Sequence, residues 1–123
     1  MKDKLILNQE DMIYVEKGWG YERWIWNESY CGKILYFNKN KKCSWHIHPL
    51  KDEVLMCFSG SIVMKYSYEE DLSKAEEVVL TAGMAFHVPP GLYHQMIALE
   101  DSFIFETSTH HEESDSIRIV KGD

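Results

Sequence analysis

The sequence of 123 residues lacks the features that mark several common protein classes. It has only three cysteines, Cys31, Cys43 and Cys57, and because they form no CxxC pair they indicate neither a disulfide framework nor a thiolate zinc site. No apolar run approaches the ~20 residues of a membrane-spanning helix, and no apolar segment follows Met1 as in a signal peptide. We therefore expect a cytoplasmic protein with no membrane partner.

Positive charge is also scarce. Thirteen Lys and Arg residues stand against 20 Asp and Glu residues, which gives a formal net charge of -7. Because an acidic chain without a basic stripe repels a phosphate backbone, we expect no nucleic-acid partner. The composition does include 45% apolar residues, enough for one domain of this length to bury its own core.

Short alternating segments separated by turn residues fill the middle of the chain, and helical periodicity is nearly absent. This pattern predicts an all-β barrel or sandwich. The predicted strands are 33–37, 43–48, 53–58, 61–68, 76–80, 84–88, 94–98 and 102–106. Within a single domain spanning 1–123, we expect an N-terminal Trp-rich arm over 1–30, the barrel over 31–107 and a polar C-terminal tail over 108–123. The tail holds an adjacent pair, His110 and His111, which we expect to be solvated.

Four potential metal ligands stand at spacings that can bring them together. His46 and His48 lie at i and i+2 of a predicted strand, so their imidazoles project from the same face. The turn after them can place Glu53 beside the pair, and His94 begins a later strand. Three imidazoles and one carboxylate suit zinc, iron, manganese, nickel or copper and leave positions for water or substrate. The spacing predicts one divalent transition metal at an open site.

The same residues resemble the two sequence motifs of the cupin superfamily. At two positions the chain departs from those motifs: Asn40 stands where the first motif has Gly, and Ala98 stands where the second has Asn. Asn tolerates left-handed backbone, whereas Ala98 removes a side-chain hydrogen bond. The resemblance implies a single-domain jelly-roll barrel with a metal in its mouth, held by the three histidines and Glu53. The residues that match the motifs are His46, His48, Glu53, Gly60, Gly83, Pro89, Gly91 and His94.

A second resemblance concerns residues 15–22, which contain Gly18, Trp19, Gly20 and Glu22. The segment is similar to the Pro-Trp-Gly-x-Glu opening strand of the small cupin domain in type II mannose-6-phosphate isomerases, with Gly18 in place of Pro. This likeness implies a metal-dependent aldose–ketose isomerase acting on a sugar or sugar phosphate. Two other classes share the fold and stay open: a non-haem iron dioxygenase and a non-catalytic carbohydrate-binding or sensor domain.

Isomerisation of a small-molecule substrate needs a group that moves a proton between two carbons. Two candidates are His87, which lies two residues before a Pro-Pro-Gly turn, and Glu106, at the end of the last predicted strand. Arg118 and Lys51 are candidate cations for binding the substrate or its phosphate.

Three apolar side chains, Val54, Met56 and Phe58, share the strand face opposite Glu53. If Glu53 points into the barrel, these side chains point outward and need cover from the N-terminal arm or from a second subunit. We therefore predict a homodimer. The tryptophans of the arm are expected in the core or in an interface rather than on a sugar.

Overall fold

The strands form two antiparallel sheets whose inner faces share one core. The computed structural model describes residues 4–123, and within that range no helix is long and apolar enough to cross a membrane. The larger sheet has the order β1-β2-β3-β10-β5-β8 and the smaller sheet the order β11-β4-β9-β6-β7. The strands are β1 Ile13–Lys17, β2 Gly20–Asn27, β3 Tyr30–Phe37, β4 Trp45–Ile47, β5 Glu53–Ser59, β6 Ser61–Ser67, β7 Glu76–Thr81, β8 Ala85–Val88, β9 Tyr93–Ala98, β10 Ser102–Thr109 and β11 Ile117–Val120.

Alternation along the strands divides inner from outer side chains. In β3 and β5 every second residue is buried, because successive side chains of a strand point to opposite faces. Leu35 and Leu55 of the larger sheet meet Ile62 and Met64 of the smaller sheet, and each of the four is at most 4% exposed. This arrangement confirms the predicted all-β, jelly-roll fold.

Each of the eight predicted strands is present, and the main differences lie near the ends of the chain. The segment 15–22 is a hairpin rather than one strand, since β1 ends at Lys17 and β2 begins at Gly20. The segment expected as an N-terminal arm thus holds two strands of the larger sheet, and β11 in the C-terminal segment pairs with β4. β11 is exposed throughout and β2 is half-buried on both faces. Neither strand therefore shows the alternation of apolar and polar residues on which the prediction of strands depended.

Two turns depend on left-handed backbone. Asn40 has φ of 69°, which confirms that Asn serves at this position of the first motif. Gly60 has φ of 88° in the turn between β5 and β6, where a Cβ atom would collide with Asp101 and Ser102. Any other residue there would strain the turn that leads from one sheet to the other.

Candidate metal centre

Three histidines of the smaller sheet converge between the two sheets. His46 of β4 is paired with His94 of β9 across the ladder, and His48 follows directly after β4. One ring nitrogen from each residue lies within 4.8 Å of the others. His48 and His94 are buried and His46 is half-buried, so the cluster faces the interior of the barrel.

Each of these imidazoles has its Nδ1 atom bound to a backbone carbonyl. Because a carbonyl oxygen only accepts hydrogen bonds, each Nδ1 carries the proton, and each Nε2 keeps a free lone pair. Such contacts fix both the tautomer and the ring orientation, as they do in histidines that bind metals. The carbonyl acceptors are those of Ser44, Asp115 and Leu92, at 2.8, 3.2 and 3.0 Å from His46, His48 and His94 respectively.

Glu53 adds a carboxylate from the larger sheet. Its Oε2 atom lies 3.1 Å from His94 Nε2 and 3.4 Å from His48 Nε2. This oxygen is buried and forms no hydrogen bond of good geometry with the described residues. A buried oxygen left without a hydrogen bond is costly, and a cation bound between it and the imidazoles would compensate it. The donor set therefore fits a divalent transition metal and supports such an ion at this site.

The electrostatics favour the protonation states that a metal requires. Burial, with the neighbouring His94, lowers the pKa of His46 well below its usual value, and burial lowers the pKa of His48 to about 4. Burial alone would raise the pKa of Glu53, but the adjacent His94, Lys51 and His48 together lower it. Neutral imidazoles and an ionised carboxylate are the forms that coordinate metal ions.

A second polar group, Lys51, Glu106 and His111, lies beside Glu53. The Lys51 Nζ atom is 3.0 Å from Glu106 Oε2, 3.0 Å from His111 Nδ1 and 3.6 Å from Glu53 Oε1. All three side chains are buried. Burial and the charge of Glu53 raise the pKa of Glu106, whereas burial and the Lys51 ammonium lower the pKa of His111 to about 4.

These two groups line one cavity of about 80 Å³. Buried Lys33 and half-buried Glu22 line it from the larger sheet, with 3.3 Å between Lys33 Nζ and Glu22 Oε1. At the outer end lies Arg118, which is about half exposed and bonds Glu113 at 3.2 Å. The cavity thus leads from an exposed cation to a buried set of imidazoles, carboxylates and ammonium groups.

Comparison with known proteins decides the family. Residues 33–107 match the family model for the cupin domain. This chain belongs to the cupin family. No curated protein matches the chain.

Solved structures share the fold of this cupin at low sequence identity. A variant of oxalate decarboxylase from Bacillus subtilis has 16% identity and a TM-score of 0.79, over 92% of this chain and 32% of the other. The capsular polysaccharide assembling protein CapF from Staphylococcus aureus has 13% identity and a TM-score of 0.75, over 89% of this chain and 34% of the other. The cupin chain therefore spans about a third of the length of these structures.

The structure brings most of the predicted site residues of this cupin into one place. The predicted ligands His46, His48, Glu53 and His94 lie together, Lys51 and Glu106 line the same cavity, and Arg118 stands at its outer end. The candidate base His87 lies elsewhere. Its side chain is 60% exposed on the outside of the larger sheet and contacts Asp52 at 2.7 Å, because the next residue, Val88, takes the inward position.

His111 is the site residue that the sequence interpretation missed. A solvated tail was expected, but His111 is only 7% exposed and touches Lys51. The neighbouring His110 is exposed and bonds the carbonyl of Glu28 at 2.7 Å. Adjacent residues of an extended chain point to opposite sides, so one histidine of the pair was bound to face inward once the segment lay against the barrel.

Proposed function

We propose that this cupin is a metal-dependent aldose–ketose isomerase acting on a sugar or sugar phosphate, with the metal held by His46, His48, Glu53 and His94. A divalent metal supplies Lewis-acid polarisation of a carbonyl oxygen when bound. The donor set supports the metal of this proposal, and so does a structure of the same fold: oxalate decarboxylase from Bacillus subtilis, which has Mn(II) centres, at 17% identity and a TM-score of 0.78.

The observation that carries the proposal is Glu106 in the same cavity as the histidines. This carboxyl is buried, its pKa is raised, and it lies 3.0 Å from Lys51 Nζ. A carboxylate of raised pKa is a stronger base and can both accept and return a proton. We assign Glu106 the transfer of a proton between the two adjacent carbons of the sugar.

Lys51 complements Glu106 in this proposal. Its ammonium is buried, and the charges of Glu106 and Glu53 raise its pKa against the opposing effect of burial. Lys51 therefore stays charged and can donate a hydrogen bond to a substrate oxygen that gains negative charge. A site that only binds a sugar needs no such acid–base pair, and oxygen activation at an iron does not depend on one either.

The shape of the cavity suggests how a sugar enters. A space of about 80 Å³ holds the reacting end of a substrate, and the remaining hydroxyls or a phosphate would lie toward the outer end. Arg118 and Lys17 are among the residues that line the cavity, and their charges suit a phosphate. Arg118 can exchange its contact with Glu113 for a phosphate, because an exposed pair of this kind contributes little stability.

The test is an isomerase assay in deuterated buffer under nitrogen, with metal-loaded protein. Mannose-6-phosphate and fructose-6-phosphate are the first pair, followed by mannose, fructose and lyxose. We expect ketose formation with deuterium uptake from the solvent, and loss of both on chelation. The variant Glu106→Gln should lose about 100-fold or more in rate, since removal of a general base has an effect of that size. His87→Asn is the matched control and should keep full activity.

Three results would contradict the proposal. A product that forms only with O₂ would assign the protein to the dioxygenase class. Sugar binding to the metal-loaded protein without ketose or deuterium uptake, for every sugar of the panel, would assign it to the binding domains. Equal activity of Glu106→Gln and the parent protein would remove Glu106 from the mechanism.

A further inference from the structure

An ion pair on the inner face of the larger sheet has no part in the proton transfer assigned to Glu106. Lys33 of β3 and Glu22 of β2 both line the cavity, and Lys33 Nζ lies 3.3 Å from Glu22 Oε1. Their side chains are 2% and 15% exposed. Replacement of such a pair by apolar residues is often neutral or stabilising, so stability alone gives little reason for two charges at this place.

Both members of the pair keep hydrogen-bonding capacity that the protein does not use. The Lys33 ammonium has three N–H groups. Among residues 4–123 its one hydrogen-bond acceptor is Glu22 Oε1, and the centroid of the Trp24 ring lies 4.2 Å from Nζ. The same Oε1 atom accepts from Trp24 Nε1 at 2.8 Å, whereas Glu22 Oε2 accepts no hydrogen bond from this part of the chain. A donor and an acceptor therefore remain available side by side in the wall of the cavity.

Strand register places this pair next to the proposed base. Lys33 is opposite Glu106 in the pairing of β3 with β10, and Glu22 lies on β2, on the other side of β3. Neighbouring strands are about 4.8 Å apart, so Lys33 stands one strand from Glu106 and Glu22 stands two strands from it. A sugar that presents its reacting carbons to Glu106 would bring hydroxyl groups further along its carbon chain to Lys33 and Glu22.

We infer that Lys33 and Glu22 bind two neighbouring hydroxyl groups of the substrate, Lys33 as hydrogen-bond donor and Glu22 Oε2 as acceptor. This inference rests on the proposed function in that the ligand is a sugar. Each hydroxyl group can both donate and accept, so two adjacent ones match a donor and an acceptor that stand side by side. A sugar that lacks one of these hydroxyls leaves a buried polar group unpaired, which makes the pair specificity-determining.

Isothermal titration calorimetry with metal-loaded protein measures this recognition. The ligands are mannose, fructose, lyxose, mannose-6-phosphate and fructose-6-phosphate, followed by the monodeoxy analogues of the one that binds most tightly. We expect Lys33→Met to weaken binding of that sugar by about 10-fold or more, since a hydrogen bond to a charged group contributes that much. The analogue that lacks the hydroxyl bound by Lys33 should bind the parent about 10-fold less tightly than the complete sugar, but should bind Lys33→Met as well as the complete sugar does.

Two double variants separate recognition from folding. Lys33→Met/Glu22→Gln leaves no uncompensated charge and keeps an acceptor for Trp24 Nε1, so it should keep its metal and its near-ultraviolet circular dichroism spectrum. It should still bind the sugar weakly and without preference for the complete sugar over this analogue, and it carries the comparison if Lys33→Met misfolds. Lys74→Met/Glu69→Gln is the matched control, because it removes an exposed pair 3.9 Å apart and should bind the sugar as the parent does.

The outcomes distinguish this inference from the isomerase proposal. Equal affinity of the parent and the Lys33 variants, or an equal loss for each deoxy analogue in parent and variant, contradicts the inference and leaves the isomerase proposal standing. Coupling between Lys33 and one hydroxyl group in a protein that forms no ketose supports the inference and contradicts the isomerase proposal. A metal-loaded parent that binds none of the five sugars contradicts both.

Discussion

Replacement of Lys51 by Met should destabilise the protein strongly. The ammonium of Lys51 is 3% exposed and is within 3.6 Å of carboxylate oxygens of both Glu106 and Glu53. Met keeps the length and apolar character of the side chain but removes the charge. The two buried carboxylates then lose their common cation, and His111 Nδ1 loses its hydrogen-bond donor.

The expected loss follows from the burial of this group. Removal of one partner from a buried ion pair costs about 3–5 kcal/mol, because it leaves an uncompensated charge. Unfolding entropy is about 2.1 cal/mol/K for each residue, so in a chain of 123 residues each kcal/mol lowers Tm by about 4 °C. We therefore expect Lys51→Met to lower Tm by about 12–20 °C.

Urea denaturation of the metal-free protein, monitored by tryptophan fluorescence, measures the loss in the free energy of unfolding. Lys74→Met is the matched control, because Lys74 lies 3.9 Å from Glu69 on the surface and its loss should cost less than about 1 kcal/mol. The double variant Lys51→Met/Glu106→Leu should cost about 2–3 kcal/mol less than the sum of the two single variants. Additive costs, or a loss from Lys51→Met no larger than that of the control, would refute the reasoning.

Two further predictions concern pH and the C-terminal segment. His48 and His111 have pKa values of about 4 in the folded protein, below the 6.5 of the free side chain, so they bind protons more readily when unfolded. The free energy of unfolding of the metal-free protein should thus fall as pH is lowered from about 6.5 to about 4. The expected slope is up to about 1.4 kcal/mol per pH unit for each histidine. Urea titrations at several pH values measure this slope. The Asp115 carboxylate accepts hydrogen bonds from the backbone N–H groups of Leu50 and Lys51 at 2.9 and 2.8 Å. The backbone carbonyl of Asp115 accepts a hydrogen bond from His48 Nδ1. Asp115→Ala keeps the backbone carbonyl but removes the carboxylate that fixes this carbonyl in front of His48. It should therefore weaken metal binding by about 10-fold in competition with a chelating dye, and unchanged affinity would show that this support is dispensable.

Local spacing explains why so much of the candidate site is predictable. His46 and His48 share a face because strand side chains alternate, and only four residues separate His48 from Glu53, so the turn between them can bring the carboxylate close. The left-handed backbone of Asn40 is likewise a local property of a turn. These features can be predicted from a few neighbouring residues, although contacts with Asp115 and Ala98 hold the two turns in the folded protein.

The parts that escaped prediction depend on contacts between distant segments. His111 is buried because the segment after β10 lies against the cavity. There its ring contacts Lys51, which is 60 residues earlier in the chain. Lys33 lies on the same inward face of β3 as Leu35. Its burial nevertheless requires Glu22 and the ring of Trp24, whose centroid lies 4.2 Å from Lys33 Nζ. The alternation of side chains along one strand does not predict a buried charge, because the partner that compensates this charge lies on another strand.

The metal content of the purified protein tests the central claim most directly. Elemental analysis should find one divalent transition-metal ion per chain in the parent protein, and none in the double variant His48→Ala/His94→Ala. The control His87→Ala/His110→Ala also removes two histidines, both exposed and outside the cluster, and should keep its metal. Full occupancy in His48→Ala/His94→Ala, or a parent protein that takes up no divalent metal on reconstitution, would contradict the account.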